Sequence, residues 1–199
     1  DMNQVLGASA GNAVEMYETA KYLSGKQQEP RLHQVVMTLA KAMLVSAGIT
    51  KDDSAAGKLA ENALDSGKAA EVFNKMIAAL GGPSDFVENP WVTMNKASII
   101  TDIIAPEHGF ITRMQTYEIG MAVVGMKGGR TANGQAIDHS VGYDRILPVG
   151  TRVNKGDIIA RVHANSDDVV QQASKQYLKA VAIKEQAAEN TPVVYKTIS

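Results

Sequence analysis

Two short segments hold residue types that could perform chemistry. Asp138–Ser140 reads Asp-His-Ser, the side chains of a hydrolase triad, and Gly125–Arg130 reads Gly-Met-Lys-Gly-Gly-Arg. Neighbouring residues of an extended chain point to opposite faces, so the first segment predicts a structural role rather than a nucleophile–base relay. In the second segment, backbone amides with Lys127 and Arg130 could bind an anion. Its spacing fits no known phosphate loop, and we favour a helix end followed by a turn.

The histidines, acidic pairs and single tryptophan also predict structural roles. His33, His108 and His163 match no metal-ligand spacing, and His163 is expected to form a local hydrogen bond at the end of a strand. Trp91, the only tryptophan, is expected to anchor a connector rather than to stack on a ligand. Two acidic pairs stand where helices are expected to begin, which is a favourable place for negative charge: Asp52-Asp53 and Asp167-Asp168.

Composition excludes several classes of protein. The 199 residues contain 20 Lys+Arg against 21 Asp+Glu, a balance that argues against a nucleic-acid binder. The absence of Cys excludes disulfides, Cys-based zinc sites and thiol nucleophiles. The apolar runs are too short to cross a bilayer, so no membrane association is expected. The first residue is Asp1, which suggests a piece of a longer polypeptide.

The predicted secondary structure that must position these residues changes near residue 90, from helices alone to strands with two helices. Before it, apolar residues at helical spacing predict four helices. Their expected starts are Asn12, Pro30, Asp52 or Asp53, and Ser66, and their expected stops are Gly25, Gly48, Gly67 and Gly81. After it, we predict strands at Ala97–Ile104, Gly109–Met114, Ile137–Val141, Thr151–Val153, Ile158–Val162 and Val193–Ile198. Helices are expected from Thr116 to Met126 and from Asn165 or Ser166 to Lys184.

Two segments of the second part are typical of a barrel-sandwich fold. Ile104–Ile111 and Gly150–Ala160 combine short apolar strands with glycine turns, as biotin- and lipoyl-carrier domains do. Lys127 resembles an attachment lysine, although it follows the Ala-Pro segment instead of preceding it and lies at a predicted helix end. A non-catalytic binding or carrier module is therefore the alternative function, and modification of Lys127 would favour it.

Motifs along the whole chain resemble the pyrimidine-nucleoside phosphorylase family, in the family's order. They are Asp1–Gly7, Ala10–Glu15, Gly67–Phe73, Asp85–Asn89, Gly120–Val124, Gly128–Arg130, Ile137–Gly142 and Thr191–Tyr195. The resemblance is to the C-terminal portion of the family and implies an α+β or α/β fold. Residues 1–82 would be a helical segment of a central α/β domain, 83–91 a connector, and 92–199 a hammerhead-like C-terminal α/β domain. The upstream strands of the central sheet are not in this chain, so we expect the first helices to expose an apolar face, causing self-association or low stability.

The resemblance implies a cytoplasmic pentosyltransferase of pyrimidine salvage. Phosphate would attack the anomeric carbon of thymidine, giving thymine and 2-deoxy-α-D-ribose 1-phosphate without an organic cofactor. The family's Lys-His-Ser-Thr-Gly-Gly type phosphate loop is absent from this sequence, and its pyrimidine-binding Arg, Ser and Lys are expected upstream. We therefore expect no catalytic residue here and no activity of this chain alone. The parent enzyme is expected to form a homodimer through its N-terminal domain.

The resemblance also implies half of a cation site. Some family members bind a monovalent cation between the phosphate loop and the segment that matches the start of this chain. The corresponding ligands here would be the backbone oxygens of Leu6 and Ser9 and the carboxylate of Glu18, with K+ as the expected ion. The alternative is a capped helix start with Glu18 on the surface.

Overall fold

Helices dominate the first half of the chain, and short antiparallel strands the second. The computed structural model describes residues 1–189 and 191–198. Their helices are α1 Ala13–Leu23, α2 Pro30–Ser46, α3 Asp53–Asp65, α4 Lys68–Ala79, α5 Thr116–Gly125 and α6 Asp167–Ala180. Their strands are β1 Ala10–Gly11, β2 Ile99–Ile104, β3 Gly109–Met114, β4 Gly142–Asp144, β5 Arg152–Val153, β6 Ile158–Ala164 and β7 Val181–Lys184, and a 3-10 turn covers Pro90–Val92. The expected α+β class is confirmed.

The chain divides into two compact units. The first unit contains Asp1–Met16 and Met94–Pro192, and the second contains Tyr17–Thr93 and Val193–Ser199. The first sixteen residues pack with the later strands. The Ile146 N–H donates to the Ala8 carbonyl at 2.9 Å, and β1 pairs with β4.

Local signals start and stop the helices of the second unit. Pro30 opens α2, and the Glu29 carboxylate accepts the Leu32 N–H at 2.6 Å. Asp52 caps α3 by accepting hydrogen bonds from two backbone N–H groups, which confirms one of the two predicted starts. The predicted start at Ser66 is wrong. Ser66 ends α3, and Gly67 reverses the chain into α4 at a φ of 78° that favours glycine.

Two antiparallel sheets form the first unit. One has the strand order β1-β4-β6-β2, and the other has the order β5-β3-β7. A register shift between Ile111 and Arg113 interrupts the alternation of β3. Ile111 and Met114 are consequently both buried while Arg113 is exposed.

Three sequence predictions for the first unit are corrected. Ile137–Val141 forms no strand, because the Asp138 carboxylate takes up the Ser140 N–H in a side-chain turn. The last predicted helix ends at Ala180, and Val181–Lys184 pairs with β3 as a strand. No strand lies within the described residues 193–198.

The core of the first unit lies between its sheets and the helices α5 and α6. Tyr143 and Tyr177 are fully buried, with ring centroids 5.3 Å apart. Their hydroxyl groups donate to the carbonyls of Ala173 and Ile159, at 2.9 and 3.2 Å. Burial raises the pKa of both phenols. Among the described helices, none has the length and apolar character needed to cross a membrane.

Candidate functional site

Asp138, Ser140 and Asn165 form a polar cluster where the loop before β4 meets the end of β6. The Ser140 hydroxyl donates to Asp138 Oδ1 at 2.6 Å, and the Asn165 amide donates to Asp138 Oδ2 at 2.7 Å. The Asn165 carbonyl accepts both the N–H and the hydroxyl of Ser98, each at 2.8 Å. The carboxylate therefore holds the serine directly, without histidine between them. The arrangement is a structural turn, not a catalytic relay.

The cluster sets the charge state of Asp138. Partial burial raises the pKa of this carboxyl, while hydrogen bonds from Ser140 and Asn165 and the nearby His139 lower it. The lowering effects together are larger, so the pKa of Asp138 lies below its usual range. Asp138 is thus kept as a carboxylate that fastens the loop.

The Gly125–Arg130 segment is a helix end, as the sequence favours. The N–H groups of Met126, Lys127 and Gly128 donate to carbonyls of the last turn of α5. Lys127 takes a φ of 71°, and a Cβ on Gly128 would lie 2.6 Å from a Val123 methyl. These three amides are already used within the helix end, so they do not form an anion cradle. Lys127 lies at this helix end and not at a hairpin tip.

His163 contacts Asp144, a pair that the sequence did not predict. The two residues lie on the neighbouring strands β6 and β4, with Nε2 and Oδ1 3.2 Å apart. Both atoms are buried, and neither makes a well-aligned hydrogen bond within the described part of the chain. His163 thus contacts a carboxylate on the neighbouring strand. Because strand pairing brings the two together, no spacing along the sequence could have revealed it.

The other candidates occupy structural positions. His33, near the start of α2, has its Nδ1 2.9 Å from the hydroxyl of Tyr22 on α1. Burial raises the pKa of the Tyr22 phenol. His108 is exposed in the turn before β3. Asp167 and Asp168 stand in the first turn of α6, which Ser166 caps. Across residues 1–189 and 191–198, no three His, Cys, Asp or Glu side chains are grouped to hold a metal.

The residues expected to bind a cation belong to two units. Leu6 and Ser9 lie in the first unit, on a backbone held by the bond from Ile146 to Ala8. Glu18 lies on α1, within the second unit. Two carbonyl oxygens and a carboxylate are the donor types that a hard cation prefers. The donor chemistry thus fits K+, and the site stays a prediction.

Comparison with known proteins identifies the family of one segment of this chain. Residues 110–184 match the model of the pyrimidine nucleoside phosphorylase C-terminal domain. This segment runs from β3 to the end of β7 and contains α5, α6 and the Asp138 cluster. These residues belong to that domain family, and the resemblance drawn from the motifs is confirmed.

One curated relative is the thymidine phosphorylase of Colwellia psychrerythraea. The chain is 52% identical to it over 195 residues, which cover 98% of this chain and 44% of the relative. The chain therefore spans less than half the length of this curated relative. The similarity extends over the helical second unit as well as the C-terminal domain.

Proposed function

We propose that this chain is the C-terminal part of a thymidine phosphorylase. The supporting observation is its 52% identity with a thymidine phosphorylase over nearly its whole length. The complete polypeptide would convert thymidine and phosphate to thymine and 2-deoxy-α-D-ribose 1-phosphate. It would act in pyrimidine salvage in the cytoplasm.

The reaction needs positioned groups rather than a covalent protein intermediate. A phosphate oxygen forms a bond to the anomeric carbon while the bond from that carbon to the pyrimidine nitrogen breaks. The electron pair leaves with the pyrimidine, whose nitrogen is then protonated. The enzyme must orient the phosphate and stabilise the charge that develops on the base. We assign those roles to residues outside these 199, because the family's phosphate loop is absent from this sequence, while Asp138–Ser140 forms a turn and Gly125–Arg130 a helix end.

The contribution of this chain would be to support the catalytic part. In its first unit, the Asp138 cluster and the Tyr143–Tyr177 pair fasten the sheet β1-β4-β6-β2 to its loops and to α6. The chain alone would be inactive. The parent enzyme would form a homodimer through its N-terminal domain, which light scattering on the complete polypeptide tests.

The expected K+ site extends the proposal. The backbone oxygens of Leu6 and Ser9 and the Glu18 carboxylate would supply one side of the coordination shell. In the complete enzyme, Glu18→Gln should weaken K+ binding and so change the dependence of activity on the K+ concentration. Activity at saturating K+ should fall less than activity at low K+. Equal K+ dependence in both proteins would exclude Glu18 as a ligand.

Phosphate-dependent release of thymine by the complete polypeptide tests the main proposal. Intact mass and activity of the same preparation must be measured together, because a longer polypeptide would explain activity that this chain lacks. Thymine release that does not require phosphate would argue for a hydrolase instead. The alternative carrier role predicts a mass increase on Lys127 after expression with biotin or lipoate.

A further inference from the structure

A pocket of about 390 Å³ opens within the second unit, between α1 and the segment around the 3-10 turn. Nothing in the thymidine phosphorylase proposal uses this pocket. Its volume lies within the range of small-molecule sites. The lining residues that matter here are Tyr17, Lys21, Ser24, Lys26, Glu88 and Trp91.

One wall of the pocket is aromatic. The rings of Tyr17 and Trp91 have centroids 4.9 Å apart and are tilted by 43°. Both residues are partly exposed, and both line the pocket. The sequence predicts that Trp91 only anchors the connector. In the structure it also offers the flat apolar surface on which another planar ring can stack.

The lining of the pocket also carries a surplus of positive charge. Lys21 Nζ lies 4.7 Å from the Tyr17 ring centroid and 3.0 Å from Gln27 Oε1. An ammonium group has three donors, so Lys21 keeps donors for a ligand. Lys26 is exposed and lines the same pocket, and its N–H donates to the Lys21 carbonyl at 3.0 Å. Glu88 is the one carboxylate among the described lining residues, and the Asn74 amide donates to it at 2.8 Å.

We propose that this pocket binds a planar aromatic ligand that carries an anionic group, the chemistry of a nucleoside monophosphate. The base stacks on the Trp91 ring, and the phosphate contacts Lys21 and Lys26. An aromatic wall and two nearby lysines match both parts of such a ligand, whereas a neutral base or a bare phosphate would match only one.

The single tryptophan makes binding directly measurable. Trp91 fluorescence, excited where uracil does not absorb, is followed during titrations with uridine 5′-monophosphate, uridine and inorganic phosphate. We expect saturable quenching by the nucleotide at concentrations where uridine and phosphate have little effect. Absence of saturable quenching by the nucleotide overturns the proposal, as does equal affinity for uridine.

Variants then locate the contacts. The double change Lys21→Ala and Lys26→Ala should weaken nucleotide affinity about tenfold, because a solvent-facing lysine contact is worth a factor of about three. Lys26→Ala alone leaves the contacts of Lys21 intact and should cost about threefold, which keeps the test valid if the double variant does not fold. Lys58→Ala changes an exposed lysine of α3 that does not line this pocket and should have no effect. Unchanged affinity in the lysine variants, or an equal loss in Lys58→Ala, contradicts the proposal.

Discussion

Asn165 connects three segments of the first unit, and its replacement by alanine is the sharpest test of how the Asp138 cluster works. Its carbonyl accepts two hydrogen bonds from Ser98, beside the start of β2. Its amide donates to Asp138 and to the Ser140 hydroxyl, in the loop before β4. Asn165→Ala removes all four bonds at the point where β6 ends.

The size of the effect follows from the exposure of these groups. Asn165 and Ser98 are exposed, and Ser140, only 5% exposed, keeps its own hydrogen bond to Asp138 in the variant. Exposed partners regain hydrogen bonds to water after the change, so each bond contributes near the lower limit, about 0.5 kcal/mol. The four bonds together predict a loss of about 2 kcal/mol in the free energy of unfolding.

Urea unfolding followed by far-UV circular dichroism measures this loss, and hydrogen exchange locates it. The Ser98 N–H should exchange faster in Asn165→Ala, because that N–H loses its acceptor. Asn133→Ala is the matched control, because Asn133 is an exposed loop asparagine whose side chain forms no hydrogen bond within the described residues. An Asn165→Ala protein that unfolds at the wild-type urea concentration would refute the reasoning, as would an equal loss in the control.

Three further predictions concern strand contact, pH and the exposed helices. Gly142→Ala should lower the free energy of unfolding by about 3 kcal/mol, because the new Cβ would lie 2.6 Å from the Ala10 carbonyl oxygen. Gly156→Ala, which places a Cβ in open space at a positive φ, should lower it by about 1 kcal/mol. Equal urea midpoints of the two variants would contradict this. Because the pKa of Asp138 is lowered in the folded state, the stability that this carboxylate contributes is complete above about pH 4 and is lost as the pH falls through the folded-state pKa. Asp138→Asn should lack this acid-dependent loss in urea titrations at several pH values. Parallel stability curves of variant and wild type against pH would contradict the prediction. Met43 is 65% exposed in a groove of apolar side chains, so the chain should self-associate in sedimentation velocity experiments. Met43→Lys should reduce that association. A wild-type chain that is monomeric at all concentrations would count against the prediction.

Signals that act within a few residues made most of the helices predictable. Pro30 and Asp52 specify helix starts through their own backbone and side-chain chemistry, and both occur where the sequence predicts. Gly109–Met114 has the predicted bounds of β3 because turn residues flank an apolar run. For the same reason the helical first half and the α+β second half could be told apart.

Contacts between distant residues explain what the sequence did not reveal. Val181–Lys184 continues the apolar pattern of α6, and only its pairing with β3 makes it a strand. Ile137–Val141 has strand-like composition, but the hydrogen bonds of Asp138 hold it as a turn. The sequence allows Asn165 or Ser166 as the cap of the last helix. Ser166 caps α6, and Asn165 instead joins Ser98 to Asp138.

The most direct test of the central claim compares two proteins in one assay. The 199-residue chain and the complete polypeptide of its gene are each incubated with thymidine and phosphate, and thymine and 2-deoxyribose 1-phosphate are measured. The account predicts both products, in equal amounts, from the complete polypeptide and neither from the chain alone. Thymine released by a chain of verified 21.2 kDa mass, or no phosphate-dependent release by the complete polypeptide, would contradict it.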